Sequence, residues 1–548
     1  MLKVGSIARS SLVLMAMLVV PAQAGATAGD PDYSFGHNGV ATLTNPAPGF
    51  EFLNRVVLQP DGKIVAAGRL VSKKHGADVG VARFLPNGSR DHSFDGPNGH
   101  GNGVVKIPVS SGTGLDGGLG LALDDQDRIM VAGFAGTANG DRNIVLRLRP
   151  NGKLDKTFEG DGGDGDGIVT LPLAAAGDDE YLDAIAIQGD GAIVVGGATD
   201  VDPTAGENLD MVLARLLPDG KLDPAFDGDG GSANGIFTLP IAPGTTDDEL
   251  YEIRLSASGI LIAGETGYDG GVNKSDFALA RFDSSDGGLD TSFDGDGKVI
   301  TQVTSGYDYA TGLAEPGGGD IVATGTANDL APGDLALVRY DSSGQLVPTF
   351  DGDEGAGNGI VTASFAPTST ERGSYLAVEP SGDLVISGET IHPGDDSALA
   401  RFDPDDGTID TGFGDQGWVV NPLSVGSDRS RGSVARPDGR IIAVGERSGD
   451  TDFDAYVARY HDDDKPPQTK ITAKPAPGSG DHSPTFRFAA DMPATFKCSL
   501  DGGNFKNCDS PKTYHGVANG GHVFRVKAFD SRPVADPTPA KAGFQIAG

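Results

Sequence analysis

The chain has 548 residues, enough for several ordinary domains or for one large repeat domain with a small module attached. Its 84 glycines are about twice the usual share of roughly 7%. They separate short runs rich in Val, Ile and Leu, which excludes long helices and points to strands. Formal charge is −35, from 42 basic and 77 acidic residues, a field that disfavours nucleic acid and anionic lipid as partners and favours cations.

The first element is a leader, Met1 to about Ala24. Lys3 and Arg9 give it a positive start, Ser11 to Val20 an apolar core, and Ala22-Gln23-Ala24 a small-x-small cleavage site. Ten apolar residues are too few to span a bilayer, so a secretory signal is expected. No later stretch has membrane length, and the mature protein is expected outside the cytoplasm, as a monomer.

Beyond the leader, a D-x-[ST]-F motif or near variant recurs at Asp32, Asp91, Asp155, Asp223, Asp290, Val347 and Asp410, at spacings of 59, 64, 68, 67, 57 and 63 residues. Such a period signals stacked supersecondary units. Each unit carries four apolar runs, clearest at Gly103–Ile107, Gly118–Leu123, Arg128–Gly133 and Asn143–Leu148. Four strands per unit suggest a propeller blade.

The second and third runs meet at Asp61-Gly62, Asp190-Gly191 or Asp438-Gly439, where Gly accepts the positive φ of a tight hairpin. If the four strands alternate in direction, both short turns fall on one face and both long, variable connections on the other. Variable loops on a fixed scaffold are the usual place for function. The first strand, near Val40, has no hairpin partner before it, and the last run, Asp454–Tyr460, has no strand after it. The expected fold is therefore all-β: a seven-bladed propeller over residues 30–464, its seventh blade completed by the N-terminal strand.

An Arg closes the fourth run of every unit: Arg83, Arg147, Arg215, Arg281, Arg339, Arg401 and Arg459. A forked ion pair to the following motif Asp is expected, as a structural pin rather than a site. Val347 deprives Arg339 of that partner.

These features resemble the delta-60 repeat family of bacterial exported proteins. The residues that carry the likeness are Gln59 to Gly68 (QPDGKIVAAG), Asp276 to Phe282 (DFALARF) and Leu289 to Val299 (LDTSFDGDGKV). The resemblance implies an exported, propeller-like β-structure and brings no established reaction with it.

After Lys465-Pro466-Pro467 the period stops. Runs at Thr485–Ala489, Thr495–Leu500 and His522–Phe529 predict a small antiparallel sandwich over residues 465–548. Cys498 and Cys508 flank the turn Asp501-Gly502-Gly503, within reach of a disulfide in an oxidising compartment. The strings Phe496 to Gly503 and Cys508 to Tyr514 resemble Ig-like modules of bacterial secreted and surface proteins, which serve as spacers or contact domains.

Zinc-protease, nucleophile-elbow and Cys/His metal motifs are missing, and Gly160 to Gly165 fits a dinucleotide fingerprint only without its helix. No cofactor is expected. The one cation considered is calcium, at Asp161, Asp164, Asp166, Asp227, Asp229, Asp294 and Asp296, acidic turns without the loop a dedicated calcium site uses. On the long-loop face lie Asp178, Asp179, Glu180, Asp247, Asp248, Glu249, Tyr307 and Tyr309 as binding candidates, with Tyr268, Lys274, His392, Asp428, Arg429 and Arg431 beside them. The functional expectation is a non-enzymatic binder of an extracellular carbohydrate or surface protein. The alternative is a secreted polysaccharide hydrolase or lyase that uses carboxylates on the same face.

Overall fold

The computed structural model describes residues 28–547 except 45–48, 73–75, 97–100, 111–113, 138–139, 161–164, 174–180, 201–208, 229–233, 243–246, 269–273, 330–331, 353–356, 392–393, 450–451, 462–468, 477, 479, 491–493, 530–535 and 537. The expected leader, Met1 to about Ala24, thus lies outside the described residues. Among those described, no helix is long and apolar enough to cross a membrane. The chain divides into two compact units, Thr27–Lys465 and Pro466–Gly548.

The larger unit is an all-β propeller. Its described residues form seven four-stranded antiparallel sheets, six of them running in chain order from the axis outward and the seventh taking its outermost strand from the start of the repeats. Sheet 4 is representative, with strands Asp247–Ser256, Gly259–Tyr268, Asp276–Phe282 and Lys298–Thr301. The seven inner strands are Phe52–Leu58, Asp116–Leu123, Tyr181–Ile187, Asp247–Ser256, Tyr309–Gly317, Thr370–Val378 and Asp428–Ala435. Each touches the inner strands of its two neighbours, and the seventh touches the first, so the ring is closed. The Asp-Gly turns behave as expected, with Gly62 at φ 81° and Gly439 at φ 84°.

Closure is made by strand exchange between the ends. Val40–Leu43 pairs antiparallel with Phe453–Tyr460, Val40 opposite Ala458 and Ala41 opposite Val457, giving the seventh sheet its outermost strand. Apolar cores lie between adjacent sheets. One packs Leu53, Ile64 and Phe84 of sheet 1 against Ile442, Val444 and Val457 of sheet 7, sealing the junction. The motif phenylalanines, among them Phe94, Phe158 and Phe226, are fully buried in these layers.

The repeated arginines are structural pins. Arg83 reaches Asp91 at 2.9 Å, Arg215 reaches Asp223 at 2.8 Å and Arg281 reaches Asp290 at 2.7 Å. Each guanidinium also covers the motif Phe, as Arg147 does Phe158 at 4.8 Å; Arg83, Arg147, Arg215, Arg281, Arg339 and Arg459 donate to a carbonyl of the next blade, as Arg281 Nη1 does to Ser342 O at 2.6 Å, while Arg401 Nη1 reaches Glu379 at 3.3 Å. Arg459 closes the series on Asp32, 427 residues away, at 2.9 Å. Arg339, which faces Val347, turns to Asp320 at 2.8 Å.

The smaller unit consists of two antiparallel sheets. Thr469–Ala473, Thr485–Ala490 and Lys512–Thr513 form one; Lys506–Cys508, Thr495–Leu500, Gly520–Phe529 and Ala540–Ile546 form the other. They share a core in which Phe486 stacks on Phe524 at 4.1 Å and meets Phe544 edge-on at 5.2 Å. Cys498 and Cys508 are joined as a disulfide within it.

Candidate functional site

Every inner strand begins at the long-loop face with a buried acid, or does so wherever that position is described. Asp116 Oδ2 accepts the Val109 and Ser110 amides at 2.8 and 3.0 Å, Asp308 Oδ2 the Thr304 amide at 2.6 Å, and Asp428 Oδ2 the Ser424 amide at 2.8 Å. Asp248 does the same with the Ile241 amide at 2.7 Å and also takes the Thr266 hydroxyl, while Glu371 accepts the Thr390 hydroxyl at 3.0 Å. These carboxylates hold the inter-blade loop onto the strand. A charge this buried persists only where donors surround it.

Three residues further on, every inner strand is interrupted by a β-bulge, where the register skips Asn54, Leu119, Asp183, Tyr251, Thr311, Ser374 and Arg431 in turn. A bulge re-aims the extra side chain, and here all seven line one axial cavity of about 250 Å³. Asn54 and Thr311 also bond the next blade, through Gly118 O at 2.9 Å and Gly373 O at 2.7 Å.

The following position supplies the floor. Arg55 crosses the axis from sheet 1, reaching Glu252 at 3.4 Å and the Tyr251 carbonyl at 3.3 Å, with its guanidinium 4.9 Å above the Tyr375 ring. In sheets 2, 3, 5 and 7 the same position is Gly120, Ala184, Gly312 and Gly432, which leaves the three long side chains room to meet. Burial pushes the Glu252 carboxyl up to about 7 against the pull of Arg55, and the nearby Glu252 charge, with burial, raises the Tyr375 hydroxyl to about 12.

The walls differ in charge. On one side Tyr251 donates to Glu249 and lies 2.5 Å from Glu265, joining two carboxyl groups through one hydroxyl. Burial and the Glu265 charge push Glu249 up to about 7; burial does the same to Asp183 and raises Glu265. On the other side Arg372 pairs with Asp329 at 2.6 Å and Glu389 at 3.1 Å, Arg429 with Glu389 at 2.7 Å, and Arg431 with Glu446 while lying 4.6 Å over the Phe52 ring. Tyr309 stands edge-on to Tyr251 at 6.2 Å. The arrangement is a polar cup with rings, carboxyls near neutrality and forked donors, suited to hydroxyl-rich ligands.

Of the sequence candidates, Glu249 and Tyr309 belong to this mouth, as do Arg429 and Arg431. Asp248 is a loop anchor, and Asp247 accepts the Leu209 amide at 2.9 Å. Tyr307 pairs its backbone with Ser275, away from the cup lining. Asp178, Asp179, Glu180 and His392 lie outside the described residues, as do Asp161, Asp164 and Asp229 of the acidic turns. Asp166 and Asp296 cap their own turns through the Ile168 and Lys298 amides at 2.8 and 2.9 Å, and Asp294 accepts from Gln345. Asp227 sits in a turn whose amide bonds Asp286 O at 2.8 Å. Among the described residues, no group of three His, Cys, Asp or Glu side chains is placed to hold a metal ion.

Asp183, Tyr251, Arg55 and Glu252 were missed by sequence reasoning. The signal was present: counted from the strand's opening acid, the third and fourth positions vary from repeat to repeat while their neighbours stay small or apolar.

Five segments, residues 59–94, 127–158, 188–226, 259–293 and 379–413, match a family described as a domain of unknown function (DUF5122) beta-propeller. The chain therefore carries repeats of a β-propeller family. The unit containing Val347 falls outside the matched segments. No curated protein matches. Among solved structures, Sqt1 of Chaetomium thermophilum bound to the N-terminus of ribosomal protein L10 is 13% identical at TM-score 0.37, over 75% of this chain and 96% of that one. Polysaccharide lyase Uly1 is 11% identical at TM-score 0.34, over 78% and 90%, and the α-L-arabinofuranosidase Arb93A of Fusarium graminearum 8% identical at 0.36, over 62% and 91%.

Proposed function

We propose that this is an exported, seven-bladed β-propeller with an Ig-like C-terminal domain, and that it works as a non-catalytic binding protein. Its ligand is an extracellular carbohydrate held in the axial cup on the long-loop face. The observation that carries this reading is the bulge ring: one backbone device, repeated in every sheet, delivers seven side chains of almost entirely unlike chemistry to a single cavity. A scaffold needing only to pack would repeat the residue along with the bulge. Tyrosine rings beside Asp183, Glu249 and the arginines match the mixed apolar faces and hydroxyls of a sugar. A glycan array tests it. Retention of a defined oligosaccharide by the mature chain, lost in Asp183→Ala and Tyr251→Ala variants that still melt like the parent, is expected. Retention that survives both substitutions overturns the reading.

A second reading, a polysaccharide hydrolase or lyase, is favoured by one observation: Glu249 and Glu265 share the Tyr251 hydroxyl, with Glu249 near neutrality, a property acid–base catalysts need. Product release from a polysaccharide panel, abolished by Glu249→Gln, would replace the binding reading with this one.

A further inference from the structure

The smaller unit inverts the charge of the chain. Residues 466–548 contain ten lysines and arginines against six aspartates, while residues 27–465 contain thirty against seventy-one acids. Part of that excess is concentrated on one sheet face. Strand alternation turns Phe524, Val526 and Ala528 into the core, which leaves Arg525, Lys527 and Phe529 on the opposite side. Lys497 stands directly opposite Lys527, and Arg525 directly opposite Lys541. Like charges in facing positions destabilise a sheet. Among the described residues none of the four has a carboxylate partner. Two of them are held by rings instead: Lys497 lies 4.5 Å over Phe529, and Lys527 4.8 Å over Phe505 and 5.1 Å over Phe529.

We propose that this face is a second binding site, for an acidic polysaccharide. Two pairs of like charges kept opposite each other at a cost in stability, with no acid paired to them among the described residues, are the mark of a surface that waits for an anion. The four residues stand on adjacent strands of an open sheet, their backbone positions about 5 Å apart between strands and about 7 Å apart along one, so they suit a line of carboxylate or sulfate groups along a chain rather than one buried ion. The rings are covered by ammonium groups, which leaves a polar surface without the protruding apolar wedge a bilayer-inserting face uses. The site belongs to the smaller unit and does not depend on what the cup holds.

Affinity electrophoresis of the full mature chain in gels containing polygalacturonate or dextran sulfate tests this, with neutral dextran, phosphatidylglycerol vesicles and duplex DNA as comparison probes. Retardation by the two acidic polymers that falls with added salt, and no retardation by dextran, is expected. The combined Lys497→Gln, Arg525→Gln, Lys527→Gln and Lys541→Gln variant should weaken it on the order of tenfold or more. Its melting temperature should stay level or rise, since two repulsive pairs are gone. The Lys497→Gln, Lys527→Gln double variant, which carries half of that change, should show an intermediate loss. The proposal is overturned if neither acidic polymer binds, if binding survives the fourfold variant, or if vesicles or DNA bind as tightly as the polysaccharides.

Discussion

At the short-turn face of the propeller an arginine, a phenylalanine and a carboxylate recur with nearly one geometry, whereas at the axis the same sheets present asparagine, leucine, aspartate, tyrosine, threonine, serine and arginine from equivalent bulges. The two regions belong to the same repeating units and so share one backbone plan. What separates them is the constraint on the side chain: at the pins each residue must fit its neighbouring blade, and at the cup, on the binding reading proposed above, it must fit something that is not part of the fold. Repetition therefore marks the frame, and on that reading divergence marks the place where a ligand is read.

The comparison breaks hardest at Arg459. With Arg459 and Asp32 both almost wholly buried, Arg459→Ala leaves the carboxylate at the ring junction with only Arg440 at 3.4 Å and the Ser34 hydroxyl at 2.6 Å, and should cost about 3 kcal/mol in denaturant unfolding. Burial alone would push the Asp32 carboxyl up, but the Ser34 hydroxyl and the Arg459 guanidinium hold it below the ordinary value. Its contribution is therefore present above the ordinary value of 3.8 and lost as pH falls through the lower folded value. Next in size, Cys498→Ser should lower the stability of the smaller unit by roughly 2–3 kcal/mol and leave the propeller transition in place, visible as a split in calorimetric melting.

At the axis the expectation reverses. Tyr251→Phe removes the hydroxyl joining Glu249 and Glu265 and should change stability by no more than about 1 kcal/mol while altering ligand binding. Glu249 has its folded value raised from 4.5 to about 7, so the folded state holds more protons than the unfolded one across that window. Its ionisation therefore costs stability as pH rises from about 4.5 to about 7, and Glu249→Gln should flatten that slope in melting curves taken across the range. The smallest effect is expected at Val347→Asp. Arg339 already has Asp320, so restoring the motif residue should shift stability by within about 0.5 kcal/mol. A larger gain would mean that the substituted pair is a poor one.

Much of the frame was legible because it is written seven times. The apolar runs, the Asp-Gly turns, the odd strand near Val40, the Arg–Asp pairing and the Cys498–Cys508 bridge each follow from local rules applied in register. The cup was legible only in part. Glu249, Tyr309, Arg429 and Arg431 could be placed on the long-loop face by strand parity. Parity could not separate Asp248, which is spent on a loop amide, from its neighbour Glu249, which is not. Nor could it foresee that a bulge after Leu250 turns Tyr251 and Glu252 toward the axis, or that Arg55 reaches across to sheet 4. Bulges break the two-residue alternation on which strand reading rests, and contacts across a ring join positions that no periodicity relates.

The pairing of Val40–Leu43 with Phe453–Tyr460 has a kinetic consequence. A ring fastened by its first and last strands cannot be sealed until the whole repeat region has been synthesised. Until then the outer edge of the Phe453–Tyr460 strand and the free Val40–Leu43 segment stay available to wrong partners. Contacts this distant in sequence form slowly. Under the export proposed above, a fastening that engages late leaves the chain time for passage across a membrane before it folds.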